Sequence, residues 1–438
     1  MTPARATVGG RGGFAPTPHS DYPSQAMSTP APREAVHDFS KKLRQPSLYG
    51  RVADYVAWQR EVRAARARGE AGPAMPDWAP LSINLDLTTA CNYACDHCID
   101  LEILNSGIAY EEQALRASLK EMAARGLKSV ILIGGGEPTI YPGFSGFARY
   151  LKDLGLAVAV VSNGSRNDKI LEAAARFDAG DWVRLSLDAG TDATFQAMHK
   201  PKKAVTLDHI CAGITKIKAA NPAPRLGFSY IITWKGATSR GADDKIIENL
   251  DEIPLAARRA RDAGFDYISF KPFLTRREDG AEVMDPAQAE AETAAIVARI
   301  RGRLDEAKAF ATPTFRVLES ANLKMLESGS WRSWTQQPKM CHMQVLRQVL
   351  TPLGLYNCPA HRGVPKARIG EKDAYASPAA CATTAAGTAG ILDRFDASVE
   401  CREVTCLYHD TNWWLEEAIE GQGLDRADAV PEGGDWFL

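Results

Sequence analysis

From residue 81 onward, short apolar runs alternate with stretches whose apolar residues recur at helical spacing. The runs at 83–87, 129–133, 157–161, 182–187, 226–233 and 267–270 read as six strands. Between them the pattern predicts helices over 110–125, 144–154, 168–177, 207–220 and 254–263. The first carries Leu115, Leu119 and Met122 on one face, and Gly126, Gly155 and Gly264 stand just past three helix ends. Apolar strands that alternate with helices in this way are buried parallel strands of βα units. Functional sites in such folds gather at the carboxyl ends of the strands, and every motif described below falls at such an end.

The flanks differ in character. Residues 1–33, rich in Pro, Gly, Ser and Thr, read as a disordered lead-in. Over 34–69, Val36, Phe39, Leu43, Leu48, Val52, Tyr55 and Val56 predict one or two short helices broken near Pro46 and packed on the barrel. A long helix is expected over 286–307 and an extra strand over 315–318. Residues 341–358 read as a hairpin turning at Pro352-Leu353-Gly354, the Ala/Thr/Gly stretch 374–390 as a loop, and 412–419 as a final helix. The resulting scheme is a lead-in (1–33), a helical extension (34–80), a core (81–310), a linker with an extra strand (311–340) and a small α+β region (341–438).

Composition narrows the class. A formal net charge of -2 over 438 residues gives no basic field for nucleic acid. No stretch reaches the length of a membrane span, and the opening residues lack the apolar segment of a secretory signal. Nine cysteines in such a chain favour metal ligation over a disulfide framework, in a reducing, low-oxygen cytoplasm.

Cys91, Cys95 and Cys98 lie within eight residues, directly after the first strand. Three thiolates from one loop can hold three corners of a cubane iron–sulfur cluster and leave the fourth iron open to a small molecule. Zinc or a disulfide are the other readings of clustered cysteines. Gly134-Gly135-Gly136-Glu137-Pro138 closes the second strand; it is either a tight turn or a close backbone approach to a ligand, with a carboxylate able to accept bonds from an ammonium group. Ser162-Asn163-Gly164 follows the third strand and could also cap a helix. Ser186 and Asp188 share one face of the fourth strand and need polar partners there. Cys341, Cys358, Cys401 and Cys406 would close every position of a second cluster, or of a zinc site. Cys211 reads as core and Cys381 as a loop residue; Lys271, Arg276 and Arg277 read as surface charge in preference to an anion site, and His342, His361 and His409 show no metal spacing.

The C-x3-C-x2-C loop after strand one, followed one βα unit later by Gly-Gly-Glu-Pro, resembles the radical S-adenosylmethionine (SAM) superfamily. The resemblance spans roughly residues 80–420 and implies a partial (β/α)6 barrel. It further implies a [4Fe-4S] cluster on Cys91, Cys95 and Cys98, with His97 where the family usually has an aromatic. SAM would meet Gly135, Gly136, Glu137 and Pro138 with its amino group, and Ser162, Asn163, Ser186 and Asp188 with its methionine, ribose and carboxylate parts. The arginine that the family often places a dozen residues later is missing, and Lys200 beside His199 is the nearest substitute. The C-terminal cysteines resemble the twitch domain, the shorter relative of the SPASM region, which implies one auxiliary [4Fe-4S] cluster. The implied activity is reductive cleavage of SAM, fed by an external one-electron donor such as flavodoxin or ferredoxin. The 5′-deoxyadenosyl radical would then abstract hydrogen from a sugar, aminocyclitol or natural product, with net dehydrogenation. An epimerase, a peptide-modifying maturase and a non-catalytic zinc or electron-carrier protein are the alternatives.

Overall fold

Each of the six apolar runs forms a strand, and each strand pairs in parallel with the next. In the computed structural model, which describes residues 39–237, 246–277, 281–284 and 290–438, they are β1 (Ser82–Asp86), β2 (Ser129–Ile133), β3 (Ala157–Ser162), β4 (Trp182–Ser186), β5 (Arg225–Ile232) and β6 (Tyr267–Pro272). The lead-in and the start of the expected 286–307 helix lie outside the described residues. Helices Glu112–Ala124, Phe144–Asp153, Asn167–Ala174, Leu207–Ala220 and Ile253–Asp262 follow β1 to β5 and cover the outer face. Leu115, Leu119, Met122, Phe147 and Ile214 pack there against Val130, Leu132, Val158 and Leu226. A short helix, Asp192–His199, was not evident from the sequence pattern.

Four more strands extend this sheet beyond the six. β7 (Thr275–Arg276) and β8 (Glu282–Val283) form a separate antiparallel ribbon after β6, and β9 (Arg316–Glu319), the expected extra strand, pairs in parallel with β6. The predicted hairpin is present as β10 (Arg347–Thr351) and β11 (Gly354–Tyr356), joined by β12 (Arg368–Gly370). β10 pairs in parallel with β1, Ser82 opposite Arg347 and Asn84 opposite Val349, so the C-terminal strands continue the core sheet. The order is β12-β11-β10-β1-β2-β3-β4-β5-β6-β9.

Two expectations fail here. The stretch taken as a loop is the helix Pro378–Arg394. Alanine has the highest helix propensity, Ser377 caps the amide of Ala380, and Pro378 occupies the first turn, where its missing N–H costs nothing. Cys381 therefore lies buried in a helix, not in a loop. Second, the N-terminal helices Phe39–Leu43 and Pro46–Ala67 pack chiefly on C-terminal residues, Leu346, Leu392, Tyr408, Leu415 and Ile419 among them.

The inward face of β2 and β3 carries Ile131, Ile133, Ala159 and Val161, and Phe437 packs on it beside Trp182. The chain is held there by Ser129 Oγ, which donates to Trp436 O (2.7 Å). No helix among the described residues is long and apolar enough to cross a membrane.

The final helix, His409–Glu420, is tied to the N-terminal one through charge. Glu416 accepts from Arg63 through both oxygens (3.0 and 2.7 Å) and lies 2.7 Å from His342 Nε2, whose Nδ1 meets Tyr55 OH at 2.7 Å. Burial opposes ionisation of Glu416, but the bonds from His342 and Arg63 outweigh it and bring the carboxyl from 4.5 down to about 2. A depressed acid stabilises the fold above its unfolded value and loses that contribution as pH falls through the folded one. Urea midpoints should therefore fall more steeply between pH 4.5 and 2 for the wild type than for Glu416→Gln; parallel declines would exclude this network as the source.

Candidate active site

At the carboxyl ends of the strands lies a cavity of about 410 Å³. Cys91, Cys95 and Cys98 line it together with Gly134, Gly136, Glu137, Ser162, Asn163, Ser186, Asp188 and His97. The topology thus brings together most of the residues singled out from the sequence.

The cysteine loop is fastened on several sides. Glu137 N donates to Ala90 O (2.8 Å), and a Cβ on Gly136 would collide with the carbonyl oxygens of Ala90 and Thr88, so only glycine permits this approach. Ala94 N donates to His199 O (3.1 Å), and Asn163 Nδ2 donates to Asn92 Oδ1 (2.9 Å). Burial pushes the three thiols up, Cys98 to about 12, where Asp100 adds to the effect. Such thiols release their protons to a metal rather than to water. Three thiols converging on one cavity, in a loop with no disulfide, fit three corners of a cubane and leave space over the fourth.

Glu137 is deeply engaged. Its carboxylate accepts from Thr139 N (3.0 Å), Thr139 Oγ1 (2.5 Å), Ser162 Oγ (2.7 Å) and Asn163 N (2.7 Å), which ties the end of β2 to the end of β3. Asp188 is similarly committed: Oδ1 accepts from Ile231 N (2.6 Å), and Oδ2 lies 3.2 Å from His97 Nε2 and 3.4 Å from His199 Nε2. Burial opposes its charge, but the two histidines hold Asp188 below the usual carboxylate range. Nδ1 of His199 stands 3.2 Å from Cys95 Sγ, so Asp188 supports the cluster loop through both rings.

Three of the expected site residues lie off the cavity lining. Lys200 is exposed, pairs with Asp96 (2.5 Å) and does not line the cavity. Gly135 packs towards Asp86 and Ile103 behind the loop, and Pro138 opens a buried turn; neither lines the cavity. In the other direction, Lys271 faces the cavity, and Arg276 is buried, donating to Ile99 O (3.1 Å) and to Arg362 O; neither is surface charge. Only Arg277 of the three is exposed. Arg184, Asp100, Glu282 and Arg362 also line the cavity. Of these, only Arg184 left a trace in the sequence, because it shares the parity of Ser186 and Asp188 on β4.

Cys341, Cys358, Cys401 and Cys406 line a second, enclosed cavity with Phe395, Val404 and His361. His361 stands 3.6 Å from Cys401 Sγ and Asn412 Nδ2 is 3.6 Å from Cys341 Sγ; burial pushes all four thiols up, Cys341 to about 12. A tetrahedral zinc site draws its sulfurs to roughly 3.8 Å of one another. Among the described residues, the one group of three ligand atoms within 4.8 Å of each other is His97, Asp188 and His199, so the four sulfurs are not drawn to zinc spacing. They can hold a larger, closed cluster.

The two cavities share a wall. Pro359 lines both, and Arg347, which faces the second, donates through Nη2 to Asn84 Oδ1 (2.9 Å), which lines the first. Four residues past Cys358, Arg362 reaches both ends of the first cysteine loop: Nε lies 3.2 Å from Asp86 Oδ2, and Nη1 donates to Asp100 Oδ2 (2.7 Å).

Fold and site together define a partial βα barrel with a three-thiol loop at its mouth and a second thiol set beside it. Residues 85–238 match the family model described as the Radical SAM superfamily, and the chain carries that domain within a larger fold. The "S-adenosylmethionine-dependent nucleotide dehydratase" of Selenomonas ruminantium is 26% identical over 155 residues, covering 34% of this chain and 56% of that protein. The "Mycofactocin maturase MftC" of Mycobacterium ulcerans is 33% identical over 115 residues, 26% of this chain and 30% of the relative. The chain thus spans about half the length, or less, of these curated relatives. The crystal structure of Streptococcus suis SuiB superposes with a TM-score of 0.50 at 12% identity, covering 82% of this chain and 77% of that one.

Because Arg362 neutralises two buried carboxylates, Arg362→Met should lower stability by about 3–5 kcal/mol and reduce iron uptake at the first cysteine loop. Adding Asp86→Asn and Asp100→Asn should restore much of that stability. Urea unfolding of the single and triple variants checks this, and equal stabilities would exclude the clamp.

Proposed function

We propose that this chain oxidises a small molecule by radical chemistry: Cys91, Cys95 and Cys98 hold a [4Fe-4S] cluster with SAM at its open iron, and Cys341, Cys358, Cys401 and Cys406 hold an auxiliary [4Fe-4S] cluster. Cluster and SAM, once reduced by a one-electron carrier, supply a hydrogen-abstracting 5′-deoxyadenosyl radical. The protein's share is to position both ligands, exclude water and manage the proton.

The observation that carries this reading is the shared wall. The first thiol set follows β1, Cys341 and Cys358 of the second flank the β10–β11 hairpin that pairs with β1, and Pro359 touches both cavities. A closed cluster one wall away from the reacting carbon suits acceptance of the second electron of an oxidation. Loss of two hydrogens from a carbinol also releases a proton, and Glu282 lines the cavity where it can accept one. Burial, reinforced by the Asp100 charge, pushes this carboxyl up to about 7, close to the working range of a general base. Epimerisation would instead require a thiol to return hydrogen. Of the two unassigned cysteines, Cys211 faces Leu255 and Arg259 on the outer helices and Cys381 lies against Tyr375 O (3.7 Å); neither lines the cavity.

Anaerobic reconstitution should give about eight irons per chain, and about four after Cys91, Cys95 and Cys98 are replaced by Ala. Incubated with SAM, reductant and small-molecule extracts, the enzyme should yield a product lighter than its substrate by two hydrogens. Loss of one water would instead indicate a dehydratase, and unchanged mass with solvent deuterium incorporated would indicate an epimerase. Four irons in the wild type would refute the auxiliary cluster.

Glu282 must be ionised to accept a proton, so turnover should rise with pH through about 7. Glu282→Gln should remove that limb and lower product formation on the order of 10²–10⁴-fold, with iron content and SAM binding unchanged. An unaltered pH profile in the variant would exclude this base.

A further inference from the structure

On β4, β5 and β6 the inward positions form three rows. Strand register sets Arg184 beside Gly227 and Tyr267, Ser186 beside Ser229 and Ser269, and Ile231 beside Lys271, with Asp188 bonded to the Ile231 amide. Arg184, Ser186, Ser229 and Lys271 all line the first cavity. Two cations therefore flank seryl hydroxyls on a single wall.

Neither cation is balanced. Arg184 Nε is buried without a hydrogen-bond partner, its guanidinium resting on the Trp182 ring (5.2 Å), and Lys271 has no ion pair among the described residues. Asp188, the nearest carboxylate, already serves Ile231, His97 and His199. Burial, with Arg184 adding to it, depresses the Lys271 ammonium well below its ordinary value. Two half-buried cations without an ion pair among the described residues repel one another, and an anion arriving between them would offset that cost. The Tyr267 ring lies across Gly227, in the space a side chain there would take, and closes the wall beside Arg184.

The two cations are set off from the cysteine loop along the sheet and in depth. The end of β4 meets that loop through Asp188 and His97, but Arg184 lies four residues earlier on β4, deeper in the barrel, and Lys271 lies on β6, two strands beyond β4. We propose that Arg184 and Lys271, with the hydroxyl of Ser229 between them, form a subsite for the anionic group of the second ligand of this cavity, so that the substrate carries a carboxylate or a phosphate. This rests on the reading that SAM occupies the mouth of the barrel from β1 to Ser186 and Asp188 at the end of β4.

The test uses reconstituted enzyme holding both clusters, with saturating SAM, titrated calorimetrically under anaerobic conditions with inorganic phosphate and, separately, malonate. At least one anion should bind; tighter phosphate binding points to a phosphorylated substrate and tighter malonate binding to a carboxylate. Lys271→Met and Arg184→Met should each weaken that binding about ten- to a hundredfold, as expected for a charge-assisted hydrogen bond. Lys271→Arg, which keeps the charge, should bind within a fewfold of the wild type, and SAM affinity should change less than twofold throughout. Failure of both anions to bind, or binding unchanged in both Met variants, overturns the proposal. So does a tenfold loss of SAM affinity in them, because the pair would then serve SAM. Anion binding lost in the variants of a wild type that does not bind SAM would uphold the subsite and overturn the SAM reading instead.

Discussion

The Arg362 guanidinium governs much of this architecture. It comes from the C-terminal region, yet it lies between Asp86, the last residue of β1, and Asp100, just beyond the cysteine loop. Both carboxylates are buried, and burial with mutual repulsion raises Asp86 far above its ordinary value, partly offset by Arg362. In turn the two acids raise the guanidinium's hold on its proton. One charge thus pins both ends of the loop that carries Cys91, Cys95 and Cys98. Buried charges of this kind add little net stability, but they penalise any arrangement in which one partner is absent. The loop can take its shape only when the C-terminal strands are already docked beside β1.

That dependence explains what could be read from the sequence. The six strands and their helices were legible because each is a local pattern, a short apolar run or a stripe at helical spacing. The cysteine loop and the glycine turn were legible because their residues are contiguous. The pairing of β10 with β1 joins residues more than 260 positions apart, and no local pattern announces it. For the same reason Arg362, Glu282 and Lys271 went unrecognised as cavity residues: a lone charge in a loop looks identical whether it meets water or a buried carboxylate. The Ala-rich helix Pro378–Arg394 failed differently, through composition read as low complexity when Ser377 and Pro378 already marked a helix start.

Glu137 shows how a motif residue can serve the fold and the site together. Four donors from Thr139, Ser162 and Asn163 converge on its carboxylate, so it fixes the spacing between the ends of β2 and β3. Asn163 passes that constraint on to Asn92 inside the cysteine loop. Removing the carboxylate would disturb the loop before any ligand was involved. SAM affinity alone is therefore an incomplete measure of this residue; iron retention in the same variant separates the two roles.

The floor of the barrel bears on chemistry at its mouth. Phe437 packs on Trp182 (5.4 Å between centroids), and the Arg184 guanidinium lies over the same Trp182 ring. Ile133 and Val161 touch this apolar cluster and also line the cavity. Water entering from the amino-terminal ends of the strands would meet this aromatic stack first. A cavity dry at its floor strengthens every charge interaction within it, those of Arg184 and Lys271 included. In the proposed reaction it would also shield a radical from anything entering from below. The segment around Phe437, distant in sequence from every cysteine of the first loop, would thus act on the proposed reaction through dielectric and access alone, by way of Ile133 and Val161.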